Sequence, residues 1–205
     1  MEQFDLTIGE IITICGTFSF AVSGAFAAMQ KRLDAFGVLI IAFATSIGGG
    51  TLRDILLGDT PVFWLKSANY SLLILVTAIL AMIFWKKIKS LKITLFLFDS
   101  LGLGFFTVVG LQKGLAYGLS PGICVALGTV TGCFGGITRD ILLNNIPLIF
   151  RKEIYATACI AGGLMYLLLS YVGLDAAFVK LISVTVVFAI RIVAVRYNLT
   201  LPRIY

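Results

Sequence analysis

Histidine is absent from the 205 residues of this chain. The commonest metal ligand and the commonest general base are therefore both missing. Charge is scarce: 13% of residues are Asp, Glu, Lys or Arg, against about 25% in a soluble globular domain. The four cysteines, Cys15, Cys124, Cys133 and Cys159, stand singly inside apolar runs and form no C-x-x-C pair. They read as small packing residues, not as a disulfide framework or a metal knuckle. No metal-ligand cluster and no nucleophile–base constellation is visible, so an enzyme is disfavoured and no cofactor is expected. The basic n-region of a cleavable signal peptide is missing too. Glu2, Asp5 and Glu10 precede the first apolar run, which is therefore read as a true span.

What fills the space is apolar. Hydrophobic residues make up 60% of the chain and the mean hydropathy is +1.05. Seven apolar segments run over residues 8–29, 35–57, 68–85, 93–112, 120–143, 155–173 and 176–195. Several reach the roughly 20 residues that carry a helix across about 30 Å of hydrocarbon. They are continuous, about twice the length of a barrel strand, and lack period-two alternation, which excludes a β-barrel. The expectation is one all-α integral membrane domain of seven transmembrane helices.

Lys and Arg are distributed unevenly between the two sides. One side holds Lys66, Lys113 and Lys180. The other holds Lys31, Arg32, Lys86, Lys87, Lys89, Lys92, Arg151, Lys152, Arg196 and Arg203. Basic loops stay cytoplasmic, so the N-terminus is expected outside and the C-terminus in the cytoplasm. The net charge of +6 is absorbed by this bias and is not read as nucleic-acid binding. Trp64 and Trp85 fall at span ends, as interface anchors do.

A shift of 86 residues lays the chain over itself without a gap. Gly49-Gly50-Thr51-Leu52-Arg53-Asp54-Ile55-Leu56-Leu57 lies over Gly135-Gly136-Ile137-Thr138-Arg139-Asp140-Ile141-Leu142-Leu143, and Pro61 over Pro147. Gly16, Phe20, Val22, Gly24 and Thr45 lie over Gly102, Phe106, Val108, Gly110 and Thr131. Three spans per copy is an odd number, so the second copy enters the membrane from the opposite side. The result is a 3+3 inverted repeat, about 8–85 and 93–173, with the seventh helix, about 176–195, left over. Inverted repeats are an architecture of transporters and some channels, with the ion or substrate site near the midplane at broken helices.

Candidate site residues cluster in spans 2 and 5. Gly48, Gly49 and Gly50 lie near the midplane of one, and Gly132, Gly135 and Gly136 in the other. Each glycine costs about 1 kcal/mol against alanine in a helix interior, so a break is expected here. Carbonyls freed by a break, with the hydroxyls of Thr45, Ser46, Thr51, Thr129, Thr131 and Thr138, would suit K⁺ or Na⁺. The alternative is close helix packing through small residues. Arg53-Asp54 and Arg139-Asp140 follow each glycine group. They are either charged constrictions at two pore mouths or local ion pairs closing helix ends at the interface. Neighbours in a helix point about 100° apart, so pairing within each Arg-Asp doublet is not expected. Asp99 departs from the repeat, being aligned with Thr13, and is either an interface residue or a pore or helix-pairing carboxylate. Lys113 and Arg191 read as snorkelling side chains.

The quoted stretch from Gly48 through Gly58, with Pro61-Val62-Phe63-Trp64 and the second copy at 135–140, resembles the prokaryotic branch of the trimeric intracellular cation (TRIC) channel family. That family has also carried a glycine-transporter label. The resemblance covers nearly the whole chain. It implies a homotrimer with one pore inside each protomer, lined by the glycine-kinked second and fifth helices and conducting monovalent cations, chiefly K⁺. It also implies an outside N-terminus and a bacterial or archaeal cell (inner) membrane, with membrane lipids as the surroundings. Eukaryotic members carry a Lys-rich lipid-binding motif in the second helix. This chain has Thr51-Leu52-Arg53-Asp54 there, so phosphoinositide regulation is not carried over. The alternative function is a secondary transporter of a small amino acid such as glycine, for which half-helix amide ends would bind the substrate carboxylate.

Overall fold

The computed structural model describes residues 8–88, 90–151 and 154–199. Glu2, Asp5, Lys89, Lys152 and Arg203 lie outside the described residues. The chain is a multi-pass helical membrane protein, and no strand occurs among the described residues. The helices are α1 (Ile8–Gln30), α2 (Ala35–Leu56), a one-turn α3 (Phe63–Lys66), α4 (Ala68–Phe84), α5 (Leu91–Ala116), α6 (Pro121–Leu142), a one-turn α7 (Leu148–Arg151), α8 (Ala156–Tyr171) and α9 (Ala176–Arg196). Among the described residues, six helices are long and apolar enough to cross a membrane, that at α4 being counted through Lys87. The segment expected over 155–173 forms the 16-residue α8, shorter than those six.

Local chemistry explains the boundaries. The Asp34 carboxylate accepts the Gly37 N–H at 2.7 Å and starts α2. Ser90 does the same for Ile93 at α5, and Asp175 for Ala177 at α9. Such side chains satisfy amides that have no partner in the first helical turn. Helix ends 86 residues apart are closed alike. Gly58 and Asn144 follow α2 and α6 at positive φ, 67° and 52°. Beyond them, Asp59 N–H donates to Asp54 O at 2.9 Å and Asn145 N–H to Asp140 O at 2.8 Å. Both are the six-residue closure of a Schellman ending. Arg32 and Gly118, after α1 and α5, form a second such pair.

Helices α1 and α5 form the centre. Of the apolar window of α1, 72% is buried, against 22% for α4, so α4 turns most of its surface outward. α1 packs on α2, α4 and α5, while α5 packs on α1, α6, α8 and α9. Phe20 of α1 stacks on its repeat equivalent Phe106 of α5, with ring centroids 5.3 Å apart and planes 7° from parallel. The contact is reciprocal: the Phe106 ring covers Gly16 and the Phe20 ring covers Gly102.

α2 and α6 cross backbone to backbone. A Cβ on Gly49 would lie 1.9 Å from Thr131 O, and one on Gly135 would lie 2.4 Å from Thr45 O. The two contacts run in opposite directions along the helices, so α2 and α6 are antiparallel. Both helices continue unbroken through their glycines. The expected break is thus not present, and the glycines serve close approach instead. The i→i−4 ladder is kept because removing Cβ relieves the crowding without disturbing the helix, and small residues at crossings permit this. Gly49→Ala is expected to destabilise the protein by about 1–3 kcal/mol, the usual cost of overpacking. Gly122→Ala, where nothing lies within 4 Å, should be near neutral. Thermal midpoints of the purified variants in one detergent test the contrast, and equal midpoints would exclude the crossing contact.

Candidate ion pathway

The antiparallel crossing sends the C-terminal turns of α2 and α6 to opposite ends of the bundle. Each turn carries one Arg-Asp doublet, buried in protein. Arg53, Asp54 and Arg139 are at most 3% exposed, and Asp140 is 6% exposed. Burial is what a charge at membrane depth requires, since facing lipid costs about 2.5–3.5 kcal/mol per residue on the insertion scale.

At the first end, Arg53 folds back on its own neighbour. Its Nε and Nη2 donate to Asp54 Oδ1 at 2.8 and 2.7 Å. The expectation that the doublet does not pair is therefore corrected. The two Cβ atoms do diverge, but the four-torsion arginine stem curls the guanidinium back to the carboxylate. Asp54 Oδ1 also accepts the Lys113 ammonium of α5 at 2.7 Å. Lys113 bonds Asp59 Oδ2 as well, and Asp59 Oδ1 accepts Lys66 Nζ at 2.5 Å. Lys113 thus bridges two carboxylates instead of snorkelling. Asp54 Oδ2 accepts the Phe63 N–H at 2.8 Å, anchoring α3 against the end of α2. The Phe63 ring lies over Gly50 and 5.7 Å from the Arg53 guanidinium carbon. Trp64 Nε1 donates to Thr51 Oγ1 at 3.1 Å.

At the second end the Arg-Asp pairing repeats, with an added partner of opposite charge. Arg139 Nε and Nη2 each donate to Asp140 Oδ1 at 2.9 Å. Asp140 Oδ2 accepts the Leu148 N–H at 3.1 Å and anchors α7. The added partner is an anion: Arg139 Nη1 donates to Asp99 Oδ1 at 2.6 Å and to Ser23 Oγ at 2.7 Å. Asp99 is fully buried and joins α5 to α6 through Arg139. Tyr155 occupies the space over Gly136, its Oη 2.5 Å from where a Cβ would be. A cleft of about 400 Å³ opens beside this cluster, lined by Arg139, Asp140, Lys31, Lys92, Arg151 and Asn145 among others.

The hydroxyls between the two ends are turned onto their own helices. Thr45 donates to Ile41 O and Thr131 to Leu127 O, both at 2.6 Å, with Thr129 and Thr138 donating likewise to Val125 O and Phe134 O. Ser46 donates to Ala42 O at 2.8 Å and Thr17 O at 3.2 Å, tying α2 to α1. Each oxygen retains acceptor capacity, but the Gly49–Thr131 contact leaves no passage at the crossing. Gly48 faces the Thr138 hydroxyl, and Gly132 faces the Thr107 hydroxyl of α5. Of the expected residues, Gly48, Gly49, Gly135 and the carbonyls of Thr45 and Thr131 meet at the α2–α6 crossing, while Gly50 faces Phe63, Gly132 faces α5 and Gly136 faces Tyr155. Sequence reasoning missed Lys113 and Asp59 as partners of the first doublet, and Ser23 and Tyr155 at the second.

A helical membrane bundle with an antiparallel glycine crossing and a buried charge cluster at each end is an architecture of membrane transport proteins. A family profile described as "Glycine transporter" matches residues 10–86 and again 96–171. The chain is 41% identical over 199 residues to the UPF0126 membrane protein of Vibrio cholerae, covering 97% of this chain and 83% of the relative. It is 40% identical to the UPF0126 inner membrane protein YadS of Escherichia coli, covering 93% of each. The TRIC channel orthologue from Rhodobacter sphaeroides superposes with a TM-score of 0.89 at 34% identity, covering 95% of this chain and all of that one. A trimeric intracellular cation channel from C. elegans shares the fold alone, with a TM-score of 0.62 at 16% identity. The chain belongs to the glycine-transporter family, the prokaryotic TRIC channel family.

The first cluster has a pH signature. The Lys113 hydrogen bond, with that of Lys66, holds the Asp59 carboxyl at a pKa of about 2. A lowered carboxyl pKa stabilises above its unfolded value and is lost as pH falls through the folded one. The Asp59 pairing should therefore be complete above about pH 4, near the ordinary carboxyl value, and disappear only toward pH 2. Carboxyl ¹³C shifts of Asp59 followed through acid titration check this, and a midpoint near 4 would contradict it. At the other cluster, Asp99→Asn removes one partner of a buried pair and should destabilise by about 3–5 kcal/mol, measured by reversible unfolding in mixed micelles. A loss under 1 kcal/mol would show that Asp140 and Ser23 suffice for Arg139.

Proposed function

We propose that this protein is a passive channel for monovalent cations, chiefly K⁺, acting as a homotrimer with one pathway inside each protomer. The observation that carries the reading is full-length similarity to a TRIC channel orthologue at 34% identity and a TM-score of 0.89. The seam agrees with it. The proposed pathway follows α2 and α6 past Arg53 and Asp54, Thr51, Gly48, Gly49 and Gly50, Thr45 and Ser46. It continues past Thr131, Gly132, Gly135, Gly136 and Thr138 to Arg139 and Asp140. Conducted K⁺ or Na⁺ would pass near Gly48–Gly50 and Gly132–Gly136. The antiparallel pairing of equivalent helices supports a 3+3 inverted repeat plus α9, with α8 as a seventh span. The basic loops support an inner-membrane orientation with the N-terminus outside and the C-terminus in the cytoplasm.

The geometry corresponds to a closed pathway. Lys113 sits between Asp54 and Asp59, where a permeating cation would be held, and Arg139 does the same on Asp99 and Asp140. Each tethered cation blocks its mouth electrostatically, and the glycine crossing closes the middle. Opening requires α2 to move from α6 and each tethered charge to leave its carboxylates.

Purified protein in planar bilayers under a KCl gradient is expected to give single-channel currents reversing near the K⁺ potential. Lys113→Gln, which keeps length and removes charge, should raise open probability severalfold. The second reading, a carrier of glycine, rests on the description of the matching profile. Silent bilayers together with saturable glycine uptake into proteoliposomes would establish it and sink the channel.

A further inference from the structure

Two buried arginines lie near the same end of the bundle, and they are served differently. Arg139 has Asp99 and Asp140 as counter-ions. Arg191 of α9 is 1% exposed, yet no carboxylate lies within ion-pair distance of it among the described residues. Its Nη1 donates to Ile154 O at 3.1 Å, and its Nε has no partner. The remaining support is aromatic: the guanidinium carbon lies 4.7 Å from the Tyr155 ring centroid and 5.4 Å from that of Phe96. A side chain so enclosed is not snorkelling. Among the described residues it is a cation held at membrane depth without a paired carboxylate, and such a charge calls for a partner.

The place for that partner is open. Arg191 lines a cleft of about 420 Å³ together with Lys92, Ile93, Phe96, Leu148 and Val195. The cleft is two-natured. Its cations are Lys92, exposed at the second position of α5, and Arg191, five residues before the end of α9. Five residues of helix place Arg191 about 8 Å below that end, the depth at which headgroups meet acyl chains. The other walls are apolar, and Ile93 is 60% exposed. An anion with a hydrocarbon tail complements both parts, with guanidinium and ammonium taking the phosphate by charge-assisted hydrogen bonds.

We propose that the cleft between α5 and α9 binds one anionic phospholipid, its phosphate held by Arg191 and Lys92 and an acyl chain lying along Ile93, Phe96 and Val195. The site lies between α5 and α9 and shares Lys92 and Leu148 with the cleft beside the Arg139–Asp140 cluster. The lipid would serve as the missing counter-ion and fix α9 against α5.

The test counts lipids retained on the full chain in mild detergent by native mass spectrometry. The probes are dioleoylphosphatidylglycerol and dioleoylphosphatidylcholine. The anionic lipid should be retained at one per chain, at least tenfold over the zwitterionic one. Lys92→Gln, which removes the mouth charge, and Ile93→Trp, which fills the wall, should each cut retention at least fivefold. Arg191→Met should abolish it, and if that variant does not fold the two exposed substitutions decide. Equal retention of both lipids, or undiminished retention in Lys92→Gln and Ile93→Trp, overturns the proposal. Displacement by 10 mM inorganic phosphate would identify a free-anion site instead, and displacement by glycine a carboxylate site. None of these readouts uses conduction, so the lipid site and the channel reading stand or fall separately.

Discussion

At Gly49 and Gly135 the backbones of α2 and α6 touch, and no side chain separates them. Nearly everything else about the molecule follows from that contact. It requires glycine at both positions, because a Cβ would enter the opposing carbonyl. It holds the helices antiparallel, which sends their C-terminal turns to opposite ends. It also brings the Thr45 and Thr131 carbonyls to the contact, while their hydroxyls lie over Gly24 of α1 and Gly110 of α5 and donate to their own helices. Lipid tails offer no hydrophobic advantage to helix association, so packing of this closeness is what holds such a bundle together.

The charge clusters are the second consequence. Once the ends of α2 and α6 are enclosed, Arg53 and Arg139 need carboxylates, and their sequence neighbours supply them. Each aspartate uses its other oxygen to hold the first turn of a short helix, α3 or α7. The Gly-Gly-x-x-Arg-Asp signature is therefore one device: glycines for the crossing, arginine for charge, aspartate for the returning loop. The two copies differ in the partner recruited from α5, Lys113 at one end and Asp99 at the other. That difference makes the seam electrically asymmetric.

Much of the architecture was legible in advance. The apolar runs, the 86-residue shift and the six-residue signature are local patterns. Turn chemistry at Gly58 and Asn144 follows from which residues tolerate positive φ. Partner identity was not legible. Lys113 and Asp54 are 59 residues apart, Arg139 and Asp99 are 40 apart, and Ser23 and Arg139 are 116 apart. Nothing in the spacing of those residues announces the contact. The glycines misled in a specific way: low helix propensity suggested a break, but tertiary contact outweighed about 1 kcal/mol per residue and the helices stayed whole.

The sequence by itself determined that the chain lives in a bilayer, that it is helical, and that one pattern of glycine, arginine and aspartate occurs twice. Composition and periodicity suffice there because the membrane demands long apolar helices whatever their arrangement. Only the tertiary structure decided what the repeated residues do. Whether a glycine breaks a helix or admits a neighbour depends on what lies across from it. Which further partner each Arg-Asp pair gains depends on residues brought from elsewhere in the chain, Lys113 at one end and Asp99 at the other. Arg139 and Arg191 are both buried, but only Arg139 has an aspartate beside it in the sequence. In the fold one is enclosed by two carboxylates and the other by two aromatic rings and an open cleft.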